Sequence, residues 1–366
     1  MLYQTENQHG GDVYGGGITL DFSANTNPLG TPPGVLEAVR RGLPQLHRYP
    51  DPYCRQLVQA IAAHEQVPAS YVLCGNGAAD LIYAYCAALR PRTSVEPAPT
   101  FAEYGLGLAQ VGCRVAPYFL HQAENFDLGE GFLPFLEEKK PEVVFLCTPN
   151  NPTGVVYSAD TLTRMAAILT EKSAQYGHNI FLVSDEPYRD IVFDGKTVPY
   201  PAAFYPHTLT CFSYSKSLSL PGERLGYVAV RPGCEGEDIL VDMMSQISRF
   251  TGHNCPPSII QRAVSRCQKV TSDLSVYQTN MELLYQKLTA LGFEVERPGG
   301  TFYIFPKALE EDANAFCQKA REFDLLLVPS DSFGVKGYVR LAYCIDTEKV
   351  KRSLPAFEKL ADAYRK

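Results

Sequence analysis

VVFLC (143–147) runs directly into TPNNPTG (148–154) and then into ADTLTRMAAILTEKSAQYG (159–177). Five consecutive apolar residues suit a strand buried on both faces, and the turn residues after it end the strand before a helix-period stretch begins. The same succession recurs to either side. YVLC (71–74) leads into Gly75-Asn76-Gly77 and the helical ADLIYAYCAALR (79–90), IFLVS (180–184) into DEPY, and LTCFS (209–213) into YSKS, with RLGYVAV (224–230) next along the chain. Strands alternating with helices at this spacing predict an α/β domain on a mainly parallel sheet flanked by helices.

Helical patterning also covers VLEAVRRGL (35–43) and RQLVQAIAAHEQ (55–66), whereas the first 30 or so residues read as a glycine-rich arm and a turn. GGDVYGGG has the look of a nucleotide loop, but no strand precedes it and no helix opens after it. After about Cys234 the texture changes. A long helical region over 240–292 ends at Gly292, and FEVERPGGTFYIFPK, LLLVPS and YVRLAYC then read as strands before a closing helix. This predicts two lobes: a large α/β domain over 36–240, and a smaller α+β domain made of 241–366 with the arm at 1–35.

Composition excludes several function classes. Of 366 residues 45% are hydrophobic and 20% charged, which rules out wholesale disorder. Lys and Arg number 33 against 40 Asp and Glu, a net charge of -7, which argues against nucleic acid or an anionic membrane as partner. No apolar run approaches the roughly 20 residues of a membrane helix. The polar start MLYQTENQHGGD does not resemble a signal peptide. The eleven cysteines stand at least 12 residues apart, with no zinc-ligand spacing, so the expectation is a cytoplasmic protein with free thiols and no metal.

In an open parallel sheet, ligands bind beyond the carboxyl ends of the strands, and the unusual polar residues fall there repeatedly. Gly75-Asn76-Gly77 opens a helix and offers backbone N–H groups and a positive dipole end to an anion. Asn150 to Gly154 come after one strand, Asp185 and Tyr188 after another, and Ser213, Ser215 and Lys216 after a third. Each has an ordinary alternative: a plain turn, a fixed loop, a helix cap, a solvated lysine. Together these would need four coincidences at one sheet edge. A lysine beside serines, an aspartate on a neighbouring strand end, a tyrosine three residues on and an anion cup suit pyridoxal phosphate. The lysine forms the Schiff base, the carboxylate keeps the pyridine nitrogen protonated, and the cup holds the phosphate.

At these residues the sequence resembles the fold-type I pyridoxal-phosphate enzymes of the class I/II aminotransferase superfamily. SYSKSLSLPGERLGY (213–227) resembles the family's lysine signature, and NNPTG, DEPY, GGTFYIF and YVRLAY occur in the expected order across nearly the whole chain. The resemblance implies Lys216 as Schiff-base lysine, Asp185 on the pyridine nitrogen, and Tyr188 and Asn151 at the ring's phenolic oxygen. It places Ser213 and Arg224 on the phosphate with the backbone of Gly77, Ala78 and Ala79, and Phe101 stacked on the ring. Arg340 matches the arginine that grips the substrate α-carboxylate, and Asn27 a residue near the substrate. Tyr49 matches a tyrosine that reaches the phosphate of the neighbouring subunit, which implies a homodimer.

Within the superfamily the halves lean to different relatives. The first 155 residues look like threonine-phosphate decarboxylase of cobalamin synthesis and, more distantly, histidinol-phosphate aminotransferase; His9 would match a substrate-pocket histidine. LLLVPSDSFG (325–334) looks like the aspartate-aminotransferase group, with Pro329 and Ser330 where the decarboxylase has a phosphate-binding arginine. Arg189, Arg297 or His9 are the candidates to replace it. The expected function is an aminotransferase moving an amino group from a small L-amino acid to a 2-oxo acid, with decarboxylation of O-phosphothreonine as the alternative. A binding module that has lost catalysis would have no chemical reason to retain Lys216, Asp185, Tyr188, Asn151, Arg224 and Arg340 together.

Overall fold

A computed structural model describes residues 17–365. Its strands are β1 (Leu20–Asp21), β2 (Val72–Gly75), β3 (Thr93–Ala98), β4 (Arg114–Phe119), β5 (Val143–Cys147), β6 (Phe181–Asp185), β7 (Thr208–Ser213), β8 (Gly226–Val230), β9 (Tyr303–Ile304), β10 (Leu325–Leu326), β11 (Val328–Pro329) and β12 (Val339–Ala342). The helices that frame the site are α1 (Pro33–Gly42), α2 (Arg55–Glu65), α3 (Ala78–Leu89), α4 (Glu103–Gln110), α5 (Phe132–Lys139), α6 (Ala159–Tyr176), the single turn α7 (Tyr214–Ser217), α8 (Glu237–Phe250), α9 (Ser258–Val264) and α10 (Leu274–Ala290).

Seven strands form one sheet in the order β2-β8-β7-β6-β5-β3-β4, parallel except for β8, which runs antiparallel to both neighbours. Every residue of β5 and β7 is buried, because helices cover both faces. Each fully buried Val, Leu or Phe there contributes roughly 1.5–3 kcal/mol. The register sets the position of the key carboxylate: Asp185 lies alongside Cys147 of β5 and Cys211 of β7, at the carboxyl end of three adjacent strands.

Two further strands do not stand out in the sequence pattern. TSVEPA and RVAPYF carry Pro97, Pro117 and Glu96, residues that weaken a strand signal. They are tolerated because β3 pairs with β5 only at Ser94 and Val95, short of Pro97, and β4 is the sheet edge.

The expected helical region over 240–292 is three helices. The first run stops at Phe250 ahead of Gly252 at φ +88°, Pro257 stands at the N-cap of α9, and Asp273 caps α10 by accepting the Ser275 N–H at 3.0 Å. The lobe boundary moves with them. Leu240 and Met244 of α8 pack with Leu81 and Tyr85, while Ile260, Val264 and Cys267 pack with Val72, Tyr227 and Ala229 of the large sheet. Residues through Cys267 therefore belong to the large lobe, and the expected division at 240 is corrected: apolar faces of α8 and α9 complete the large core. The smaller lobe holds α10, the antiparallel sheet β11-β12-β9, and the arm strand β1, which pairs parallel with β10. Among the described residues, no helix is long and apolar enough to cross a membrane.

Candidate active site

A cleft of about 220 Å³ opens between the lobes above the carboxyl ends of β5, β6 and β7. Its anion end is built by the turn into α3. Gly77 has φ +92°, a region that favours glycine, and a Cβ there would stand 2.6 Å from an Arg224 guanidinium nitrogen. Gly226 on β8 is equally constrained, since a Cβ would meet the Phe212 carbonyl at 2.6 Å and the Ala78 nitrogen at 2.8 Å. Asp80 pins the turn from inside the helix by accepting the Asn76 N–H at 3.0 Å. Ala78 and Ala79 thus present the start of a twelve-residue helix to the cleft beside Arg224, the arrangement an anion needs.

Ser213 ends β7 and caps α7, with its Oγ 3.0 Å from that of Ser215, so the turn carries Lys216 into the cleft. Lys216 is half-buried, and desolvation pushes its ammonium down to about 8, helped by the positive fields of Arg340 and Arg224. One strand over, Asp185 is buried. Its Oδ2 accepts the Tyr104 O–H at 2.6 Å, and its Oδ1 has no hydrogen-bond partner among the described residues. Burial pushes this carboxyl up to about 6, opposed by the Tyr104 phenol and the Cys211 thiol.

The loop after β5 is folded by Asn150, whose Oδ1 accepts both the N–H and the hydroxyl of Thr153 at 3.1 and 2.8 Å. This turns Asn151 into the cleft, where its Oδ1 accepts from Arg340 at 3.1 Å. The Arg340 guanidinium is buried between the rings of Tyr303 and Phe333, 4.5 and 4.9 Å from their centroids. Tyr303 also meets Tyr188, hydroxyl to hydroxyl, at 3.0 Å. Phe101 lines the cleft with its ring edge-on to Tyr104 at 5.7 Å.

Several expectations are revised. Asn27 does not line the cleft; its amide donates to Ser219, Ser272 and the Gly30 carbonyl, and Asn25, two residues earlier, lines it instead. Arg189 is neither a pocket cation nor a surface residue. It is held in a buried cluster by Glu65, by Glu186 at 3.5 Å and by the Tyr227 hydroxyl at 2.6 Å, over the Phe212 ring at 4.6 Å. Although burial pushes Glu65 up, the Arg189 guanidinium holds its carboxyl below the usual range. Arg189→Met should therefore destabilise the protein by about 3–5 kcal/mol, since the buried Glu65 carboxylate loses its cation; burial already pushes Glu186 up to about 7. Urea unfolding checks this, and a loss within experimental error would contradict the account. Arg297 is paired with Glu282 and with Asp194 at 2.9 Å, so it also is not free for a substrate phosphate. Tyr49 is 96% exposed and does not line this chain's cleft. His9 lies outside the described residues.

The sequence patterns do not single out Asn25, Tyr104 or Tyr303 as site residues. Tyr104 and Tyr303 lie in PTFAEY and GGTFYIF, stretches that carry the family resemblance, but only the fold shows that they face Asp185 and Arg340. The donor set fits pyridoxal phosphate: an anion cup with an arginine, a lysine of lowered basicity, and a buried carboxylate oxygen without a partner, able to meet a protonated ring nitrogen.

The profile of the family described as aminotransferase class I and II matches residues 18–357. The chain is 38% identical over 306 residues to threonine-phosphate decarboxylase of Salmonella typhimurium, spanning 80% of this chain and 78% of that protein. It is 27% identical over 350 residues to a probable aspartate aminotransferase of Methanocaldococcus jannaschii, 88% of each. Among solved structures, an amino transferase from Eubacterium rectale superposes with a TM-score of 0.84 at 36% identity, over 93% of this chain and 89% of that one. Aspartate aminotransferase from Thermus thermophilus superposes with a TM-score of 0.84 at 24% identity, over 94% and 92%, a likeness of fold.

Proposed function

Because the chain belongs to the aminotransferase class I and II family, fold-type I enzymes that depend on pyridoxal phosphate, we propose that it moves an amino group from a small L-amino acid to a 2-oxo acid. The observation that carries this reading is the inventory of cations. Among the described residues that line the cleft, the cations are Lys216, Arg224 and Arg340, with Arg189 and Arg297 held by carboxylates elsewhere. Arg224 goes to the cofactor phosphate, Arg340 to the substrate carboxylate and Lys216 to the chemistry. A substrate bearing its own phosphate would need a further charge-assisted partner. Where the resemblance to the decarboxylase would call for an arginine, Ser330 is buried, and its Oγ accepts the Tyr338 N–H at 3.1 Å.

Bound in the cleft, pyridoxal phosphate supplies an electron sink through its protonated pyridine ring. The protein's own groups then have separate tasks. Ser213, Arg224 and the backbone at Gly77, Ala78 and Ala79 would bind the phosphate. Asp185 would hold the proton at the ring nitrogen, Tyr188 and Asn151 would bind the phenolic oxygen, and Phe101 would cover the ring. Arg340, pinned by Asn151 and sandwiched by Tyr303 and Phe333, offers a preset fork to the α-carboxylate. Lys216 Nζ, whose basicity burial lowers, would take the substrate Cα proton and return it in the transfer.

The partner in this reading is a second copy. Leu43, Leu46, Tyr49 and Tyr53 are exposed within eleven residues, a stretch that a twofold mate would cover while receiving Tyr49 at its own phosphate site. The eleven free thiols fit a cytoplasmic setting.

One finding favours a second reading, decarboxylation of O-phosphothreonine: the 38% identity to the Salmonella typhimurium enzyme. A single experiment separates them. The purified enzyme is mixed with an amino-acid panel and with O-phosphothreonine, and monitored by absorbance and mass spectrometry. Conversion of the cofactor to its amine form by an amino acid, reversed by a 2-oxo acid, is expected. Loss of carbon dioxide from O-phosphothreonine, with no amino transfer, would replace the first reading by the second.

A further inference from the structure

We propose that Tyr104 is a positioning residue for the cofactor: its O–H, donated to Oδ2 of Asp185 at 2.6 Å, keeps that carboxylate ionised and oriented so that Oδ1 meets the pyridine nitrogen. The inference rests on the assignment of Asp185 to that nitrogen.

Tyr104 is fully buried on α4 and touches three parts of the site at once. Its ring stacks on Phe145 of β5 at 5.0 Å and 28°, and meets Phe101, the candidate ring cover, edge-on at 5.7 Å. Its hydroxyl reaches Asp185. The titratable groups facing Asp185 from the packed elements are Tyr104, Tyr85 on α3, Cys147 on β5 and Cys211 on β7. Burial holds all four above their ordinary values, so they are neutral and act only as dipoles or donors. Against the burial that pushes Asp185 up to about 6, the phenol is the stronger donor, because a thiol S–H is weak.

Without the phenol, Oδ2 becomes a buried acceptor lacking its partner, a state that favours the protonated acid. A protonated Asp185 would no longer hold a proton at the pyridine nitrogen when pyridoxal phosphate is bound, and the ring would lose the charge that makes it an electron sink.

Tyr104→Phe keeps both ring contacts and removes only the donor. In the cofactor-free protein, isotope-edited infrared spectroscopy of labelled aspartate, with Asp185→Asn to identify the band, reads the Asp185 titration directly. The Phe variant should titrate higher by about one pH unit or more, the scale of a lost charge-assisted hydrogen bond. In the loaded enzyme kcat should fall about tenfold with KM within about twofold, and the acid limb of kcat should move upward. Cofactor affinity should weaken about tenfold in the wild-type background and not at all beyond the Asp185→Asn single variant, because the effect passes through the carboxylate.

An unchanged titration, or equal weakening in the Asp185→Asn background, would overturn the proposal and leave Tyr104 as packing. Should the Phe variant not fold, ring-fluorinated tyrosine at 104 preserves the shape with a more acidic phenol. It should lower the Asp185 titration, and no movement would overturn the proposal. Wild-type cofactor affinity and turnover in Asp185→Asn would remove the assignment on which the inference rests, a failure distinguishable from an unmoved titration in Tyr104→Phe.

Discussion

Lys216→Ala should abolish the visible absorbance of the lysine-bound cofactor and lower turnover by about 10⁴-fold or more, since the one variant removes both the covalent anchor and the proton carrier. The cup of Gly77, Ala78 and Ala79 and the Arg224 guanidinium remain, so the variant should still take up pyridoxal phosphate reversibly. A spectrum identical to that of wild type would remove Lys216 from the Schiff base. The same substitution has a stability signature of definite sign. In the cofactor-free protein the Lys216 ammonium titrates near 8, below an ordinary lysine, because burial disfavours its charge. Below about pH 8 both folded and unfolded chains carry that proton and the folded state bears the full desolvation penalty. As pH rises from about 8 toward the ordinary lysine range, the folded chain has lost the proton and the penalty fades. Cofactor-free Lys216→Ala should therefore be more stable than cofactor-free wild type at pH 7, with the margin shrinking by pH 10. Urea melts at the two pH values measure it, and a margin that grows with pH would contradict the burial argument.

Asp185→Ala is the second large effect. Turnover should fall by about 10²–10³-fold, the scale of losing a preorganised charge in a water-poor site. Folding should survive, because the strand pairing of β6 with β5 and β7 is made by backbone. The wild-type carboxyl titrates at about 6 in the cofactor-free protein, since burial raises it. It is ionised above that pH and protonated below it, so cofactor affinity in wild type should decline as pH is lowered through about 6. Asp185→Ala should bind more weakly at neutral pH and show no such decline. Turnover within a few-fold of wild type, or an unaltered pH dependence of binding, would exclude Asp185 as the partner of the ring nitrogen.

Much of this site is legible in the amino-acid sequence, and the reason is local. Lys216, Ser213 and Arg224 lie within twelve residues of one another, on a strand, a turn and the loop beyond it, and their order along the chain already places them at one end of β7. Asp185 and Asn151 can be placed because VVFLC and IFLVS are apolar strands whose carboxyl ends must share an edge in a parallel sheet. The glycines at 75 and 77 announce a helix entry with open N–H groups. These features depend on contiguous residues and backbone periodicity, which a sequence carries directly.

Other features depend on how distant segments pack. The proline-bearing strands Thr93–Ala98 and Arg114–Phe119 are stable only because of their positions toward the sheet edge, and α8 and α9 join the large lobe because their apolar faces complete its core. Arg189 stands between Tyr188 and Asp190, and nothing near it in the chain signals that Glu65, 124 residues earlier, captures it. Asn25 and Asn27 are chemically identical and two residues apart; which faces the cleft is decided by Ser219 and Ser272 claiming the second. The contact of Tyr104 with Asp185 spans 81 residues and exists because α4, packed against α3 and β4, sets the Tyr104 ring on Phe145 of β5. The α/β alternation and the family are thus written in short contiguous patterns and can be read without coordinates. Which polar side chains are consumed by internal partners, and which remain to meet a ligand, emerges only on folding, because hydrogen-bond satisfaction in a buried site is settled by through-space neighbours.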